Sequence, residues 1–314
     1  MENLIIDTDL GFDCDDSGAL AIANKLHNEG KIKLLAVTHS VNKKIGGDGI
    51  KLINDYYGNG DIPIGVAETY AMNVDNFGKE YIAKFRVADN FPGWQEEPTF
   101  YKILNALDLI KYKDLKYGSA TEVIRETLEK SEDKSVTVVC IGQAGNVAAA
   151  LTEFKELFYK KVKRVAVMCG NFNDYDKEYL MGGVYWKGEF NVILDVRSMQ
   201  KLFESTDLPV YVLDFNQGCD VLSGEGLRDE TDNPVRTAYV IHGNGRTLNL
   251  PSWDPMTVMF AAGLFSEDFS LSEKGTVSVD DNGKTTFKAG SGEHRLIYRK
   301  STQTEFADIL NKML

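Results

Sequence analysis

The fold of this chain is decided by residues 4–20, which read LIIDTDLGFDCDDSGAL. Residues 4–6 form an apolar run of the strand type, and residues 19–23 begin the apolar face of a helix. Five aspartates therefore lie on the turn between the carboxyl end of a strand and the start of a helix. Open α/β sheets bind their ligands at such turns. The stretch predicts an α/β fold with a polar site at one edge of its sheet.

The acids of this turn are Asp7, Asp9, Asp13, Asp15 and Asp16. Carboxylates this close repel one another, so the turn needs either a cation among them or protonation of some of them. A hard divalent metal meets that need. A helix cap explains one acid but not five. An EF-hand loop is excluded because, counted from Asp7, its sixth and twelfth positions hold Phe12 and Gly18 instead of glycine and glutamate.

A phosphatase with an aspartyl nucleophile is the alternative from another enzyme class, because its signature also begins as strand-Asp-x-Asp. Such enzymes carry a small hydroxyl residue soon after the second Asp, whereas Leu10-Gly11-Phe12 follows Asp9 here. Release of phosphate from a phosphoester with Mg²⁺ would favour this alternative.

The charge, the cysteines and the apolar runs of the sequence limit which partners and which cellular location can be predicted. The net charge of -12 argues against nucleic acid and anionic membrane surfaces, and it suits a cation site with a small neutral substrate. The four cysteines lack paired spacing, so neither a zinc cluster nor a disulfide framework is predicted. No apolar run reaches membrane-spanning length, and the first strand begins too early to follow a signal peptide. We therefore predict a cytoplasmic protein.

Strands and helices alternate along most of the 314 residues, which predicts one domain, residues 1–314, with an open, mostly parallel twisted sheet and helices on both faces. Strands are predicted at residues 33–38, 62–66, 136–142, 165–170 and 209–213, and helices at 47–57, 119–130, 252–260 and 304–313. Residues 68–116 are rich in aromatics and weakly periodic, which is typical of a functional loop region or an insertion. Residues 217–252 are polar and glycine-rich, and they predict mobile surface structure.

The order of several motifs carries a resemblance to a known family. Asp7-Thr8-Asp9-Leu10-Gly11, followed by Asp15-Asp16 and an Ala-Leu helix, resembles the opening fingerprint of the inosine-uridine preferring nucleoside hydrolases, with two extra residues before the paired acids. Further matches are the strand before Asn42, the strand and turn over 135–146, Glu189-Phe190-Asn191 and Trp253-Asp254-Pro255. The resemblance implies a Rossmann-like, nucleoside hydrolase-like fold that cleaves ribonucleosides to base and ribose.

The same resemblance implies a Ca²⁺ site. Its ligands would be Asp9, Asp16, the backbone carbonyl of Ile141 and Asp254. Ca²⁺ takes six to eight oxygen ligands, so this set leaves positions for water and substrate hydroxyls. The resemblance gives Asp9 the role of base toward a water activated by the metal, and Asp15 that of a catalytic ribose ligand. Asp7 and Asp13 are predicted to support the turn.

The implied substrate-binding residues are Asp15, Asn42, Glu189, Asn191, Trp253 and Asp254. Glycosyl cleavage passes through a sugar cation, which a carboxylate-rich floor stabilises. Glu189 and Asn191 would hold the sugar in attack geometry. Without the family pattern, this pair is interpreted as a solvated acid and a helix cap.

The leaving-group side departs from the family pattern. Trp253 stands where the inosine-uridine branch has a His associated with protonating the base, and an aromatic there is similar to the purine-preferring branch. We therefore predict purine nucleosides as substrates, with Trp94 as the candidate for the opposite face of the base. Core packing of Trp253 is the alternative. His39, His242 and solvent all stay open as the source of the leaving-group proton.

The remaining alternative function is a non-catalytic nucleoside-binding or sugar-binding protein of the same fold. Release of free ribose from a nucleoside would separate the two hypotheses. We also expect a homo-oligomer, either a dimer or a tetramer.

Overall fold

The computed structural model describes residues 1–11, 13–68, 101–173, 179–181, 184–186 and 188–314. The strands are β1 (Glu2–Thr8), β2 (Ile32–His39), β3 (Ile64–Val66), β4 (Gly118–Ser119), β5 (Val136–Cys140), β6 (Val162–Met168), β7 (Tyr179–Met181), β8 (Val184–Trp186), β9 (Val210–Leu213), β10 (Leu222–Ser223), β11 (Leu250–Pro251), β12 (Phe269–Leu271), β13 (Gly275–Val279), β14 (Thr285–Ala289) and β15 (Arg295–Arg299). The helices are α1 (Asp15–Asn28), α2 (Lys44–Tyr56), α3 (Lys102–Ala106), α4 (Ala120–Glu129), α5 (Gly145–Glu153), α6 (Lys155–Lys161), α7 (Phe190–Leu194), α8 (Val196–Phe203), α9 (Phe215–Gly218), α10 (Pro234–His242), α11 (Asp254–Ala262) and α12 (Gln303–Met313), with 3-10 turns at Ile110–Tyr112 and Glu225–Leu227.

Nine strands form one sheet in the order β12-β15-β9-β6-β5-β1-β2-β3-β4. Every neighbouring pair is parallel except β12 with β15, which is antiparallel. This arrangement confirms the predicted open, mostly parallel mixed sheet. Because the strands run in parallel, the carboxyl ends of β9, β6, β5 and β1 meet at one edge.

Helices cover both faces of the sheet, and β1 shows why. Leu4 and Ile6 lie in a core shared with residues of α1 and α11, whereas Ile5 lies in a second core with residues of α5 and α8. All three side chains are fully buried. Successive side chains of a strand point to opposite faces, so a continuous apolar run needs cover on both sides.

Residues 217–252 differ from the prediction of mobile surface structure. They contain α10, in which Val235, Ala238 and Tyr239 recur at helical spacing and are fully buried. The start of this helix carried a recognisable signal, since the Asn233 side chain caps the backbone N–H of Val235 and Pro234 is the first helical residue. The polar and glycine-rich composition of 217–252 as a whole outweighed this short periodic stretch in the prediction.

Only the end of the aromatic-rich segment belongs to the described residues, since 69–100 lie outside them. Its α3 packs against the opening turn, where Gly11 has a φ of 136°. A Cβ on Gly11 would lie 2.8 Å from Cδ1 of Leu104. Both the conformation and the close contact therefore require glycine.

Two predictions about composition can be compared with the structure. All four cysteines are free thiols, and Cys14, Cys140 and Cys169 are buried in the manner of small apolar residues. Among the described residues, no helix has both the length and the apolar character needed to cross a membrane.

Candidate active site

A cavity of about 340 Å³ lies at the carboxyl edge of the sheet. Asp9, Ile141, Met168 and Phe215 line it, and each lies at or just beyond the end of one of the neighbouring strands β1, β5, β6 and β9. The other lining residues are Asp13, Asp15, Asp16, Glu189, Phe190, Asn191, Ile193, Trp253 and Asp254. We call Asp9, Asp13, Asp15, Asp16 and Asp254 the acidic floor, and Met168, Phe190, Ile193, Phe215 and Trp253 the apolar wall.

Asp7 supports the opening turn through hydrogen bonds to neighbouring elements. Its Oδ1 accepts hydrogen bonds from the Thr38 hydroxyl at 2.6 Å and from the Asn146 amide at 2.7 Å. These bonds join the end of β1 to β2 and to α5. Burial raises the pKa of Asp7 to about 7, against the opposing effect of the two hydrogen bonds. The contacts agree with the predicted supporting role of Asp7.

Asp15 joins the start of α1 to the start of α11, and Asp16 joins α1 to the end of β1. Oδ2 of Asp15 accepts the backbone N–H of Trp253 at 2.9 Å and that of Asp254 at 3.1 Å. It therefore caps the first turn of α11, more than 230 residues further along the chain. Asp16 accepts a hydrogen bond from the Thr8 hydroxyl. One oxygen of Asp15 is thus committed to positioning the backbone.

Four acids of the floor could hold a metal ion. One carboxylate oxygen from each of Asp13, Asp15, Asp16 and Asp254 lies within 4.8 Å of the others. Burial is the main cause that raises the pKa of Asp16 and Asp254, and repulsion from neighbouring aspartates adds to it. Both residues are among the predicted metal ligands. Asp13, predicted only to support the turn, lies in this cluster, so that assignment was incomplete.

Asp9 lines the same cavity but does not belong to that group of four. It is 5% exposed, and burial raises its pKa to about 7, with further increases from the charges of Asp15 and Glu189. Its other neighbour is Gly142, where an added Cβ would lie 2.8 Å from the Asp9 backbone nitrogen and 2.9 Å from its Cγ. Ile141, the predicted carbonyl ligand, donates its N–H to the Asp7 carbonyl at 2.8 Å. The turn that follows β5, which we call the β5 turn, therefore packs closely against Asp9.

Glu189 and Asn191 lie together on the cavity wall. The Glu189 carboxylate accepts backbone N–H groups of Asn191 at 2.9 Å, Gly170 at 2.9 Å and Val192 at 3.3 Å. It thereby caps α7 and ties it to the end of β6. Burial raises its pKa to about 7, although these three bonds oppose the change. The interpretation of Glu189 as a solvated acid is wrong, because it is 6% exposed.

The Asn191 amide donates to the Met168 carbonyl at 3.2 Å, and the side chain is 7% exposed. Asn191, in the first turn of α7, and Glu189, at its N-cap, therefore face the cavity from a hydrogen-bonded helix start. Asn42, the other predicted amide ligand, is exposed and outside the cavity lining, and its amide donates to the Glu68 carbonyl at 2.6 Å. Its role in substrate binding stays a prediction.

The histidines considered as leaving-group acids do not line the cavity. His39 is fully buried, and its two ring nitrogens lie 2.8 Å from the Val41 carbonyl and 3.1 Å from the Leu10 carbonyl. Burial lowers its pKa. His242 is the last residue of α10. Trp94 lies outside the described residues.

Trp253 is held in a fixed orientation on the apolar wall. Its Nε1 donates to the Phe215 carbonyl at 2.7 Å, and its ring stacks on the Phe215 ring with centroids 5.4 Å apart and planes at 29°. A Cβ on Gly218 would lie 2.5 Å from Cδ1 of the indole. The indole therefore lies against α9 and also faces the cavity, so it is more than core packing.

Sequence interpretation missed the rest of the apolar wall. Phe215 follows the predicted strand 209–213, and Met168 lies within the predicted strand 165–170. The rule that ligands bind beyond the carboxyl ends of parallel strands could have identified both. Phe190 and Ile193 belong to a short helix that the pattern did not reveal.

The donor set fits a hard cation. None of the described residues that line the cavity is a lysine, arginine or histidine. Four buried carboxylates and the partly buried Asp13, without a cationic neighbour among the lining residues, would be held in their charged form only at high cost. Oxygen-rich sites of this kind suit Ca²⁺ or Mg²⁺.

Comparisons with known proteins agree with this geometry. Residues 4–308 match the family model of the inosine-uridine preferring nucleoside hydrolase. The structure is similar to the inosine-uridine preferring nucleoside hydrolase of Bacillus anthracis, with a TM-score of 0.70, 17% identity, and coverage of 100% of this chain and 99% of that one. It is also similar to the purine-preferring ribonucleoside hydrolase of Gardnerella vaginalis, with a TM-score of 0.69, 16% identity, and coverage of 99% and 97%.

A curated protein of Schizosaccharomyces pombe, described as uncharacterized, is 27% identical over 96 residues. That match spans 31% of this chain and 28% of the length of the curated protein.

Proposed function

The chain belongs to the inosine-uridine preferring nucleoside hydrolase family, and we propose that it hydrolyses the N-glycosidic bond of purine ribonucleosides in a Ca²⁺-dependent reaction. A cytoplasmic location and a homo-oligomeric state are part of the proposal and come from the sequence alone. The observation that carries the proposal is one cavity in which an acidic floor faces an apolar wall. A ribonucleoside has the same division, because its ribose is polar and its base is flat and largely apolar.

The acidic floor suits the sugar. Ribosyl cleavage develops positive charge on the ring, and buried carboxylates stabilise that charge strongly because little water screens them. Glu189 and Asn191 reach the same cavity from the start of α7, where hydrogen bonds hold both side chains, so they are preorganised as ribose-hydroxyl ligands. Asp15 keeps Oδ1 for the sugar, because Oδ2 accepts the two backbone N–H groups of α11.

Asp9, Asp16, the Ile141 carbonyl and Asp254 would hold the metal, with Asp13 and Asp15 close to it. When bound, Ca²⁺ supplies positive charge that offsets the carboxylates and favours ionisation of a water molecule. Asp9 is the proposed base that takes the proton of the attacking water. The positive charge of a bound metal would keep the Asp9 carboxylate ionised, and the ionised form is the one that can accept that proton.

The apolar wall suits the nucleobase of the substrate. Trp253 and Phe215 present aromatic surface, and stacking on a base tolerates the absence of a positioned acid. A purine has the larger face and a ring nitrogen that solvent can protonate. Because Nε1 of Trp253 is committed to the Phe215 carbonyl, the indole would recognise the base by stacking rather than by donating a hydrogen bond.

The test is a panel of inosine, adenosine, guanosine, uridine and cytidine, with free ribose measured with and without a chelator. We expect ribose from the purine nucleosides, loss of turnover with chelator, and recovery with Ca²⁺. Binding without any ribose release would support the non-catalytic alternative instead. A turnover rate that chelator does not change would contradict the proposed dependence on Ca²⁺.

A further inference from the structure

A second cavity lies outside the proposed active site and has the opposite charge. Its volume is about 310 Å³, and it is an open cavity bordered by the 3-10 turn at Glu225–Leu227, by α10 and by residues 245–248. Arg228, Arg236 and Arg246 line it together with one acid, Glu225. The chain as a whole has a net charge of -12. Three arginines around one cavity therefore give this surface a charge of opposite sign to that of the whole chain.

The arginines are not all neutralised by neighbouring acids. Arg228 is paired with Glu225, its Nε donating to a Glu225 carboxylate oxygen at 2.7 Å. Arg236 donates Nε to the Arg228 backbone carbonyl at 3.1 Å, which fixes the plane of its guanidinium. Within the part of the chain that the structure describes, neither Arg236 nor Arg246 has a carboxylate partner. Two positive charges therefore face the cavity uncompensated.

The backbone around the cavity does not oppose an anion. The end of α10 would ordinarily repel negative charge through its unpaired carbonyls. Here the N–H of Gly243 caps the Tyr239 carbonyl at 2.9 Å, and that of Gly245 caps the Val240 carbonyl at 2.8 Å. The left-handed conformation of Gly245, with φ 69°, makes this turn possible.

The remaining lining indicates an organic ligand rather than a bare ion. Val240 and Leu248 give the cavity an apolar side, and Thr247 adds a polar one. The volume lies at the lower end of the range for small-molecule sites. Guanidinium groups match phosphate oxygens in geometry as well as in charge. We propose that this cavity binds a small organic phosphate, whose phosphate contacts Arg236 and Arg246 and whose carbon skeleton lies on Val240 and Leu248.

The test is thermal unfolding with ribose 5-phosphate as the probe, in buffers matched for ionic strength with sodium chloride. At about ten times its dissociation constant, the probe should raise Tm by roughly 2–4 °C. In the double variant Arg236→Gln/Arg246→Gln, the shift should fall to that given by ribose alone. Arg125→Gln, which removes an exposed arginine of α4 that pairs with Glu122 and Glu129, is the matched control and should keep it.

Three arms make the outcome decisive. Ribose alone, which could bind only through the sugar, should give a smaller shift that the double variant retains. An equal shift in the double variant and the wild type, or an equal shift with sodium chloride alone, would overturn the site. A shift with malonate as large as that with ribose 5-phosphate would overturn the assignment to phosphate. Catalysis is not needed for any arm, so the result is independent of the proposed activity.

Discussion

The acidic floor and the apolar wall share one cavity but come from differently organised parts of the chain. Four of the five floor residues lie within Asp9–Asp16, and only Asp254 is distant. The wall is assembled from Met168 at the end of β6, Phe215 after β9, two residues of α7, and Trp253 at the start of α11. The floor is therefore concentrated in one short stretch of sequence and tied to α11 through Asp15, whereas the wall depends on the order of strands in the sheet. Chemistry and selectivity should accordingly respond to different substitutions.

The largest expected effect is on the floor, at Asp9. Asp9→Asn removes the proposed base and keeps the size of the side chain, so turnover should fall by about 10²- to 10⁴-fold. The measurement is ribose release from inosine, with Asp308→Asn, an exposed acid of α12, as the control. Near-normal turnover in a folded Asp9→Asn protein would remove Asp9 from the mechanism.

A smaller effect on the floor should follow from its packing. Gly142→Ala places a methyl group 2.8 Å from the Asp9 backbone nitrogen, so either Asp9 or the β5 turn must move. A displacement of about 1 Å can cost about 10²-fold in rate, and overpacking costs about 1–3 kcal/mol of stability.

Gly145→Ala is the matched control for Gly142→Ala, because its methyl group would meet its nearest atom at 3.6 Å. Equal turnover in the two variants would show that Asp9 tolerates displacement.

Metal removal should act on the floor and leave the wall intact. A metal that binds only the folded chain at about 100 times its dissociation constant adds about 2.7 kcal/mol of stability. Chelator should therefore lower Tm, and added Ca²⁺ should restore it. Calorimetry with Mg²⁺ as a second ion measures selectivity; identical melting curves with and without chelator would contradict a preformed site.

The difference between floor and wall also decides what could be predicted from the sequence. The density of aspartates after a buried strand located the floor, because its partners are close in sequence. The alternation of strands and helices predicted the parallel sheet for the same reason. Trp253 was recognised only through the family resemblance, since nothing near it in sequence indicates a cavity.

What could not be predicted depends on distant contacts. Glu189 reads as a surface acid until β6 and α7 are placed side by side and its carboxylate accepts the Gly170 N–H. Asp15 reads as a ribose ligand alone until α11 is brought against α1. The helix α10 was missed because it is short and lies in a segment whose overall composition is polar and glycine-rich.

Substitutions in the apolar wall should change the selectivity for purine over pyrimidine nucleosides. Base–aromatic stacking is worth roughly 1–3 kcal/mol, so Trp253→Ala should erode the preference for purine nucleosides by about 5- to 150-fold. Trp253→Phe keeps an aromatic ring and should preserve most of it. The ratio of kcat/KM for inosine to that for uridine is the measurement. An unchanged ratio in Trp253→Ala, or a wild type that prefers uridine, would sink the stacking hypothesis and leave the metal chemistry standing.

The smallest effect should come from the support beneath the indole. Gly218→Ala places a methyl group 2.5 Å from Cδ1 and 2.7 Å from Cγ of Trp253 and 2.8 Å from the Ser252 carbonyl oxygen, so the ring must shift from its present place against α9. We expect the inosine-to-uridine ratio to change by roughly two- to tenfold, equivalent to about 0.4–1.4 kcal/mol, with Ca²⁺ affinity preserved because the atoms nearest to the new methyl group belong to Trp253 and Ser252 and not to a floor residue. Gly118→Ala, whose methyl group would meet Val123 at 3.5 Å, is the control. If Gly218→Ala changed Ca²⁺ affinity as much as selectivity, the floor and the wall could not be treated as separate supports, because a shift of the indole would then be transmitted through the Trp253 backbone to the N–H groups that Asp15 accepts.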